Sequence, residues 1–237
     1  MHTTRQTRLS LSGSTLKLIA VISMLIDHIA FALLWDQSPI VIALAGHELT
    51  LYELMRKIGR PAFPIFCFLI TEGYLHTHDR RKYGRNLLLF ALISEIPWNL
   101  LHSNTLFYPS HNVYFTLFFG YLGICVLERS REFPARSALC LVGLLLVSNY
   151  FGADYGLKGF ALILALYALR EQKLPRTAVG CALLGSPLAS GTAFLFIHFY
   201  NGERGFIRGK GLKFAFYAFY PVHMLVLWYV KRATIGF

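Results

Sequence analysis

The chain has 237 residues, of which 55% are hydrophobic and only 15% are charged. Soluble domains carry about 25% charged residues, so this composition argues against an ordinary water-soluble domain and indicates a membrane protein. The formal net charge is +11, and the lysines and arginines that produce it lie between the apolar runs. This placement suits contact with lipid headgroups and argues against nucleic-acid binding.

The first apolar run, residues 16–35, carries Asp27 and His28 side by side near its middle. About 20 apolar residues cross a bilayer of about 30 Å, and a charge near the centre of such a run costs at least about 2.5 kcal/mol on insertion scales. Successive helical residues point about 100° apart. We therefore expect one of the two side chains to face a reaction centre and the other to contact a partner such as Arg60.

The apolar runs that follow predict an all-α fold, a polytopic transmembrane helical bundle of about eight spans. The short segment "PIVIALAG" is too short to cross and is expected at the membrane interface. We predict a single integral membrane domain over residues 1–237. The predicted spans are 16–35, 60–78, 86–101, 113–128, 137–151, 156–170, 178–200 and 212–230.

The positions of the basic residues predict how the bundle is oriented. With the N-terminus in the cytoplasm, most lysines and arginines lie inside and the outer stretch "LLHSNTLFYPSHN" has no charge, as the positive-inside rule requires. This predicts a multi-pass protein of the bacterial cytoplasmic membrane. One loop, residues 201–213, breaks the rule because eight full spans place it outside. If residues 178–200 enter and return, helped by Gly185, Pro187 and Gly191, the loop is inside; we predict eight full spans.

Ionisable residues within the spans form a second pattern. From the helical rise, His28 lies about 19 Å and Glu95 about 14 Å from the inner ends of their spans, and His223 lies about 15 Å from the outer end of its own. These depths predict a shared layer near the midplane, with Glu72 closer to the inner end. Intramembrane ionisable groups are costly and usually functional, so we predict a common pocket.

The loop 201–213 combines glycines with basic residues. Free backbone amides and basic side chains both bind phosphate, so the loop suits a phosphate-bearing ligand, and lipid headgroups explain it equally well. Its predicted cofactor-binding residues are Arg204, Arg208 and Lys210.

Five motifs in register resemble the TraX family. They are "KLIAVISMLIDHI", "GRPAFPIFCFL", "NVYFTL", "DYGLKG" and "FYAFYPVHMLVL", which together run from Lys17 to about Leu227. The family's namesake is a membrane acetylase of conjugative pilin, so the resemblance implies an acyltransferase that uses acetyl-CoA. The residues that match the family motifs are Asp27, His28, Arg60, Asn112, Tyr155 and His223.

The resemblance implies transfer of acetyl from acetyl-CoA to an amino group, as at a pilin N-terminus, or to a hydroxyl, as on a saccharide. A neutral imidazole removes a proton from an α-amino group, whose pKa is near 8; direct transfer and an acetyl-histidine intermediate both fit. A proton-coupled transporter with an Asp/His/Glu relay is the alternative, and a purely structural or assembly factor would leave the polar layer unexplained. No metal is expected. The predicted catalytic residues are His28, Asp27, His223 and Glu95, and the predicted substrate-binding residues are Arg60, Asn112, Tyr155 and Glu72.

Overall fold

A computed structural model describes residues 10–35, 38–44, 47–130, 132–185 and 187–236. Within these ranges the chain forms ten helices and one two-stranded antiparallel sheet, so the predicted helical class is confirmed. The elements are α1 (Gly13–Leu33), β1 (Ile40–Leu44), β2 (His47–Thr50), α2 (Leu51–Gly59), α3 (Ala62–His76), α4 (Arg80–Ser103), α5 (Val113–Glu128), α6 (Pro134–Tyr150), α7 (Gly156–Ala168), α8 (Lys173–Leu184), α9 (Pro187–His198) and α10 (Lys210–Thr234).

Helix length limits which of these elements can cross a membrane alone. Among the described residues, α1 with 21 residues is the one helix that is both long and apolar enough. The apolar helices α5, α6 and α7 have 16, 17 and 13 residues, which rise about 20–26 Å against a bilayer core of about 30 Å. The bundle of eight full spans is therefore not confirmed.

Polar side chains define where several helices begin. The hydroxyl of Ser12 accepts a hydrogen bond from the Thr15 N–H at the start of α1, and Asp79 does the same for the Lys82 N–H in α4. Thr50 caps α2 in the same way. Such caps satisfy backbone N–H groups that have no partner within the helix. The cap residues thus fix the helix starts locally, independent of the packing of the bundle.

Helices α1 and α10 lie side by side and run in the same direction. Near their starts, the ammonium of Lys17 lies 5.7 Å from the centre of the Phe216 ring. Further along, the rings of His28 and His223 are in contact. Because both contacts join equivalent depths, the two helices start at the same end of the bundle and finish at the other.

The segment before α10 also lies at the end where α1 starts. The N–H of Gly13 donates to the Glu203 carbonyl over 2.8 Å, and the N–H of Ser14 donates to the Arg204 carbonyl over 2.9 Å. Residues 201–209 therefore pack on the first turn of α1. If the N-terminus is cytoplasmic, as predicted, this loop is cytoplasmic too.

This placement corrects the prediction that residues 178–200 form one full span. The segment contains two short helices, α8 and α9, and α8 ends at Gly185 with φ 65°, a left-handed conformation that glycine adopts without strain. The Phe194 side chain of α9 packs against Gly180 of α8, so the chain turns back on itself. Eight full spans put the following loop on the wrong side because this turn was treated as continuous helix.

Close packing of α5 on α7 depends on glycines. A Cβ at Gly120 would come within 2.3 Å of the Ile163 side chain, and one at Gly159 within 2.4 Å of Thr116. Small residues let membrane helices approach closely enough for extensive dispersion contact. This pair of helices supports the segments at their ends, residues 110–112 and 152–156, which contribute to the site described next.

Candidate functional site

A cavity of about 420 Å³ lies in the half of the bundle where α1 ends. Helices α1 to α4, the start of α5, α10 and the turn between α6 and α7 all contribute to it. Four residues predicted from the sequence line it, and so do three further arginine, histidine or aspartate residues. The predicted ones are Asp27, His28, Arg60 and Tyr155, and the further ones are Arg56, His102 and Asp154.

His28 and His223 form a hydrogen-bonded pair at the wall of the cavity. Nδ1 of His28 lies 2.6 Å from Nε2 of His223, and the rings stack with centres 5.0 Å apart. His28 lines the cavity, and His223 lies behind it, 6% exposed. The structure therefore brings these two predicted residues together across 195 positions of sequence.

The Phe219 carbonyl determines which nitrogen donates and which accepts in the His28–His223 hydrogen bond. Nδ1 of His223 lies 2.7 Å from the Phe219 carbonyl, which can only accept, so this nitrogen carries a proton. In a neutral ring Nε2 then has the lone pair and accepts from Nδ1–H of His28. Consequently Nε2 of His28 retains a lone pair, and no hydrogen bond joins it to the described part of the chain. This nitrogen is thus able to accept a proton from a group in the cavity.

Asp27 pairs with a cation that the sequence reasoning did not choose. Its Oδ2 accepts a hydrogen bond from Nη1 of Arg56, whereas Arg60 follows α2 and lines the cavity without that contact. Helix α2 can approach because a Cβ at Gly59 would come within 2.3 Å of the Asp27 Cβ. Asp27 and His28 contact different partners, but both line the cavity, so the prediction that only one of them faces the site is corrected. The predicted Asp27 partner is corrected from Arg60 to Arg56.

The turn between α6 and α7 presents Asp154 to the cavity. Its backbone is bound to His111, whose N–H donates to Gly152 and whose carbonyl accepts from Asp154, both over 2.9 Å. Tyr155 has φ 63°, a strained conformation for a bulky residue, and its ring stacks on Phe63 at 3.5 Å. The N–H of Tyr155 donates to the Asp154 carboxylate over 3.0 Å. These contacts hold the carboxyl group in place.

The electrostatics of Asp154 differ from those of an exposed aspartate. Burial raises the pKa of Asp154 to about 6, and the hydrogen bond from Tyr155 opposes that shift in part. Asp27 raises the pKa further, whereas the cations Arg56 and Arg60 lower it. A carboxyl group with this pKa changes its charge close to neutral pH.

Glu95 does not join the cavity, so the prediction of a common pocket with His28 and His223 is corrected. One carboxylate oxygen lies 2.5 Å from Nδ1 of His111, and the other accepts from the Asn112 amide over 2.6 Å. Depth along a helix fixes height but not the direction in which a side chain points. Glu95 supports the segment that in turn binds the Asp154 turn.

Asn112 is likewise structural in its contacts and lies outside the cavity. It is fully buried, its amide donates to the Ala91 carbonyl over 2.8 Å, and its side-chain oxygen accepts from the Tyr114 N–H to cap α5. Its predicted role in substrate binding is therefore replaced by a role in fixing the start of α5.

Four other predicted residues lie away from the cavity or outside the description. Glu72 is at the opposite end of α3, with Oε2 3.7 Å from Nδ1 of His76. Arg204 and Arg208 are exposed on the loop that packs on the start of α1, also at that far end. The side chain of Lys210 lies outside the described residues. Glu72, Arg204 and Arg208, the three whose side chains the structure describes, therefore do not line the His28 cavity.

Sequence reasoning missed His102 as a cavity residue. Its Nδ1–H donates to the Trp98 carbonyl over 2.9 Å, and its ring packs on the Trp98 ring with centres 3.7 Å apart. In the sequence it belongs to an uncharged stretch that also contains His111. Two histidines in a segment with no other ionisable group were the available signal.

Comparisons with known proteins agree with the motif resemblance. The family described as "TraX protein" matches residues 12–231. The chain is 30% identical over 246 residues to a probable fimbrial assembly protein FimC, serogroup H1, of Dichelobacter nodosus, covering 91% of this chain and 94% of that protein. It is 27% identical over 161 residues to an uncharacterized protein of Rickettsia prowazekii, covering 67% and 56%. No solved structure matches. The chain belongs to the TraX family.

Proposed function

We propose that this protein is a membrane-embedded acyltransferase that moves acetyl from acetyl-CoA to an amino or hydroxyl acceptor. The observation that carries the proposal is the hydrogen-bond chain from the Phe219 carbonyl through His223 to His28. It leaves the Nε2 lone pair of His28 available beside a polar cavity. A positioned imidazole base is what removal of a proton from an acyl acceptor requires.

The chemistry of direct transfer follows from this arrangement. His28 Nε2 takes a proton from the acceptor as the acceptor nitrogen or oxygen bonds to the thioester carbonyl carbon. The carbonyl π electrons move to oxygen, where Arg56 and Arg60 favour the negative charge. When the C–S bond breaks, the proton on His28 passes to the sulfur. If His28 attacks first, the same lone pair forms an acetyl-histidine.

Asp154 suits an acceptor that arrives as an ammonium ion. Its pKa of about 6 leaves the carboxyl group mostly ionised at neutral pH, so it attracts a cation into the cavity. The ammonium first releases one proton to solvent, and His28 takes the second proton as the new C–N bond forms. A saccharide hydroxyl needs no such counter-charge, so Asp154 favours the amine acceptor.

The surface of the bundle supports a multi-pass location in the bacterial cytoplasmic membrane. Helix α6 exposes large apolar side chains, including Leu139 at 75% and Leu146 at 62%, and α10 exposes Val222 at 56%. Polar residues such as Ser148 and Thr116 are buried instead. A soluble protein rarely exposes apolar patches of this extent, whereas lipid contact accounts for them.

The acceptor is the least constrained part of the proposal. A relative is named as a probable fimbrial assembly protein, and this supports a pilin-like partner that presents its amino group at the membrane. Lipids surround the protein in either case. A continuous proton relay, as in a transporter, receives less support because Glu95 binds His111 and Asn112 and lies apart from the histidine pair.

Purified protein in detergent, incubated with radiolabelled acetyl-CoA, tests the proposal. Separate reactions contain a peptide with a free α-amino group, the same peptide with a blocked amino group, and an oligosaccharide. We expect label on the free peptide and release of CoA thiol in equal amount. Proton uptake by proteoliposomes without any acetyl transfer or thioester hydrolysis would instead identify a transporter.

A further inference from the structure

Four basic side chains meet at the end of the bundle opposite the cavity. Ser14, three residues before Lys17, donates to the Arg204 carbonyl over 2.9 Å. The ammonium of Lys17 lies 5.7 Å from the centre of the Phe216 ring, three residues after Lys213. Lys17 therefore lies near Arg204 and Lys213, and Lys213 near Lys82. Lys17 and Lys213 are half-buried, and Lys82 and Arg204 are exposed. Like charges held this close repel one another, and partial burial removes the water that would screen them.

The local backbone makes this end still more positive. Lys17, Lys82 and Lys213 each lie near the beginning of a helix, in α1, α4 and α10. A helix carries about half a positive charge at its N-terminus, so lysine is normally unfavourable there. Lys82 and Lys213, in the first turns of α4 and α10, are thus placed where the helix dipoles oppose them.

The acidic residues nearest in sequence are engaged within their own turns. Asp79 accepts from the Lys82 N–H over 2.8 Å as the cap of α4, and Glu203 lies on the exposed turn with Asn201, whose amide is 3.4 Å from its carboxylate. For Lys17, the contact that the structure shows is the face of the Phe216 ring. Within the described residues, no salt bridge joins Lys17 or Lys213 to a carboxylate.

We propose that Lys17, Lys82, Arg204 and Lys213 form a binding site for a phosphate-bearing ligand. Phosphate groups would relieve the repulsion among the four cations and accept hydrogen bonds from the ammonium and guanidinium groups. The ligand chemistry is shared by two sources, the phosphates of CoA and the headgroup of an anionic lipid.

Distance favours CoA as the source, an assignment that rests on the proposed function. Lys17 and His28 are eleven residues apart on α1, which corresponds to about 16 Å along the helix. The pantetheine arm between the diphosphate and the sulfur of CoA has about as many bonds as four residues and spans about 14 Å when extended. A donor with its phosphates at Lys17 would therefore bring its thioester close to the depth of His28.

The test compares two charge-matched double variants. Lys17→Gln with Lys213→Gln removes two cations from the site, and Lys57→Gln with Lys158→Gln removes two exposed cations from the other end. Isothermal titration calorimetry with desulfo-CoA, which cannot transfer acetyl, measures binding without turnover. Native mass spectrometry after exchange into phosphatidylglycerol or phosphatidylcholine measures retained lipid. Melting temperatures show that each variant is folded.

We expect desulfo-CoA to bind about 10- to 30-fold more weakly to the Lys17/Lys213 variant and unchanged to the control, since each surface lysine contributes about a factor of five or more toward an anion. A second outcome is that desulfo-CoA binds neither wild type nor either variant, while phosphatidylglycerol is retained by wild type and lost from the Lys17/Lys213 variant. The basic site is then a lipid site, and its assignment to CoA is wrong. Equal binding of both ligands by both double variants would overturn the site.

Discussion

Nδ1 of His28 and Nε2 of His223 lie 2.6 Å apart on two parallel helices, and this contact fixes which nitrogen of His28 is free. The relationship resembles the way a buried hydrogen-bond acceptor orients a catalytic histidine in other enzymes. Here the acceptor is a second imidazole, itself oriented by the Phe219 carbonyl. In the proposed reaction, His223 is therefore a positioning residue and His28 is the group that meets the substrate.

Substitutions of His223 separate orientation from packing. His223→Leu removes the acceptor for Nδ1–H of His28, so we expect acetyl transfer to fall by about 10²- to 10⁴-fold. His223→Gln provides an amide oxygen that can accept the same hydrogen bond, so it should retain much more activity. Initial rates at saturating acetyl-CoA measure both. Equal loss in the two variants, with unchanged melting temperatures, would contradict the orienting role.

Substitution of Glu95 tests whether this residue supports the fold and takes no part in the reaction. Glu95→Gln keeps the shape of the side chain but replaces one of the two carboxylate oxygens that face His111 and the Asn112 amide by an NH2 group, and it removes the negative charge, so the two contacts together are weakened. We expect a loss of about 1–3 kcal/mol of stability, seen as a lower melting temperature. The transfer rate of the folded protein should remain near that of wild type. A loss of rate without a change in melting temperature would return Glu95 to the catalytic group.

Asp154→Asn tests the electrostatics of the turn. The folded-state pKa of about 6 is above the unfolded value of about 3.9, so the folded protein holds this proton more tightly. Protonation of Asp154 therefore stabilises the folded wild-type protein. This contribution to the free energy of unfolding is fully present below about pH 4 and is lost as the pH rises through about 6. We expect the variant to melt at a higher temperature than wild type above about pH 7 and at the same temperature near pH 4.

Acetyl transfer to an amine should be impaired by Asp154→Asn, although the same substitution stabilises the folded protein above about pH 7. Without the carboxylate that attracts the ammonium, Asp154→Asn should raise the KM for an amine peptide more than it lowers kcat. A melting-temperature difference that is independent of pH would show that burial of the ionised carboxyl group is not what separates the two proteins.

Cysteine labelling tests how the bundle is oriented in the membrane. Phe206, 61% exposed, lies on the loop beside the start of α1, and Tyr150, 96% exposed, lies at the opposite end. In a background with Cys140→Ser, we expect an impermeant maleimide to label Tyr150→Cys in intact cells and Phe206→Cys only after permeabilisation. Labelling of Phe206→Cys from outside would place the loop and the proposed phosphate site away from cytosolic CoA.

The sequence indicated the helical class from the length of the apolar runs. It also placed His28 and His223 at one depth, although the depth of His223 was counted from the wrong end of its span, because residue 223 lies near the middle of α10. It could not place Glu95, because azimuth around the helix depends on how the helices pack. The same ambiguity affected Asp27, since Arg56 and Arg60 lie one turn apart. The return at Gly185 was visible as a glycine, but a single glycine does not distinguish a kink from a reversal.

Asp154 and His102 show a different limit. Neither lies within a predicted span, so the reasoning that charged groups in lipid are costly did not apply to them. Their importance comes from two turns, held by backbone hydrogen bonds between residues 111 and 152–154, that close over the cavity. Tertiary pairing of loops of this kind has no periodic signature in sequence.

The most direct measurement is acetyl transfer by His28→Gln beside His78→Gln, an exposed histidine of the opposite end. Glutamine keeps hydrogen-bonding capacity but has no nitrogen that accepts a proton. We expect His28→Gln to insert and melt like wild type while transfer falls by about 10²- to 10⁴-fold, and His78→Gln to transfer at the wild-type rate. A His28→Gln protein that acetylates its acceptor as fast as wild type would contradict the central claim that His28 is the base.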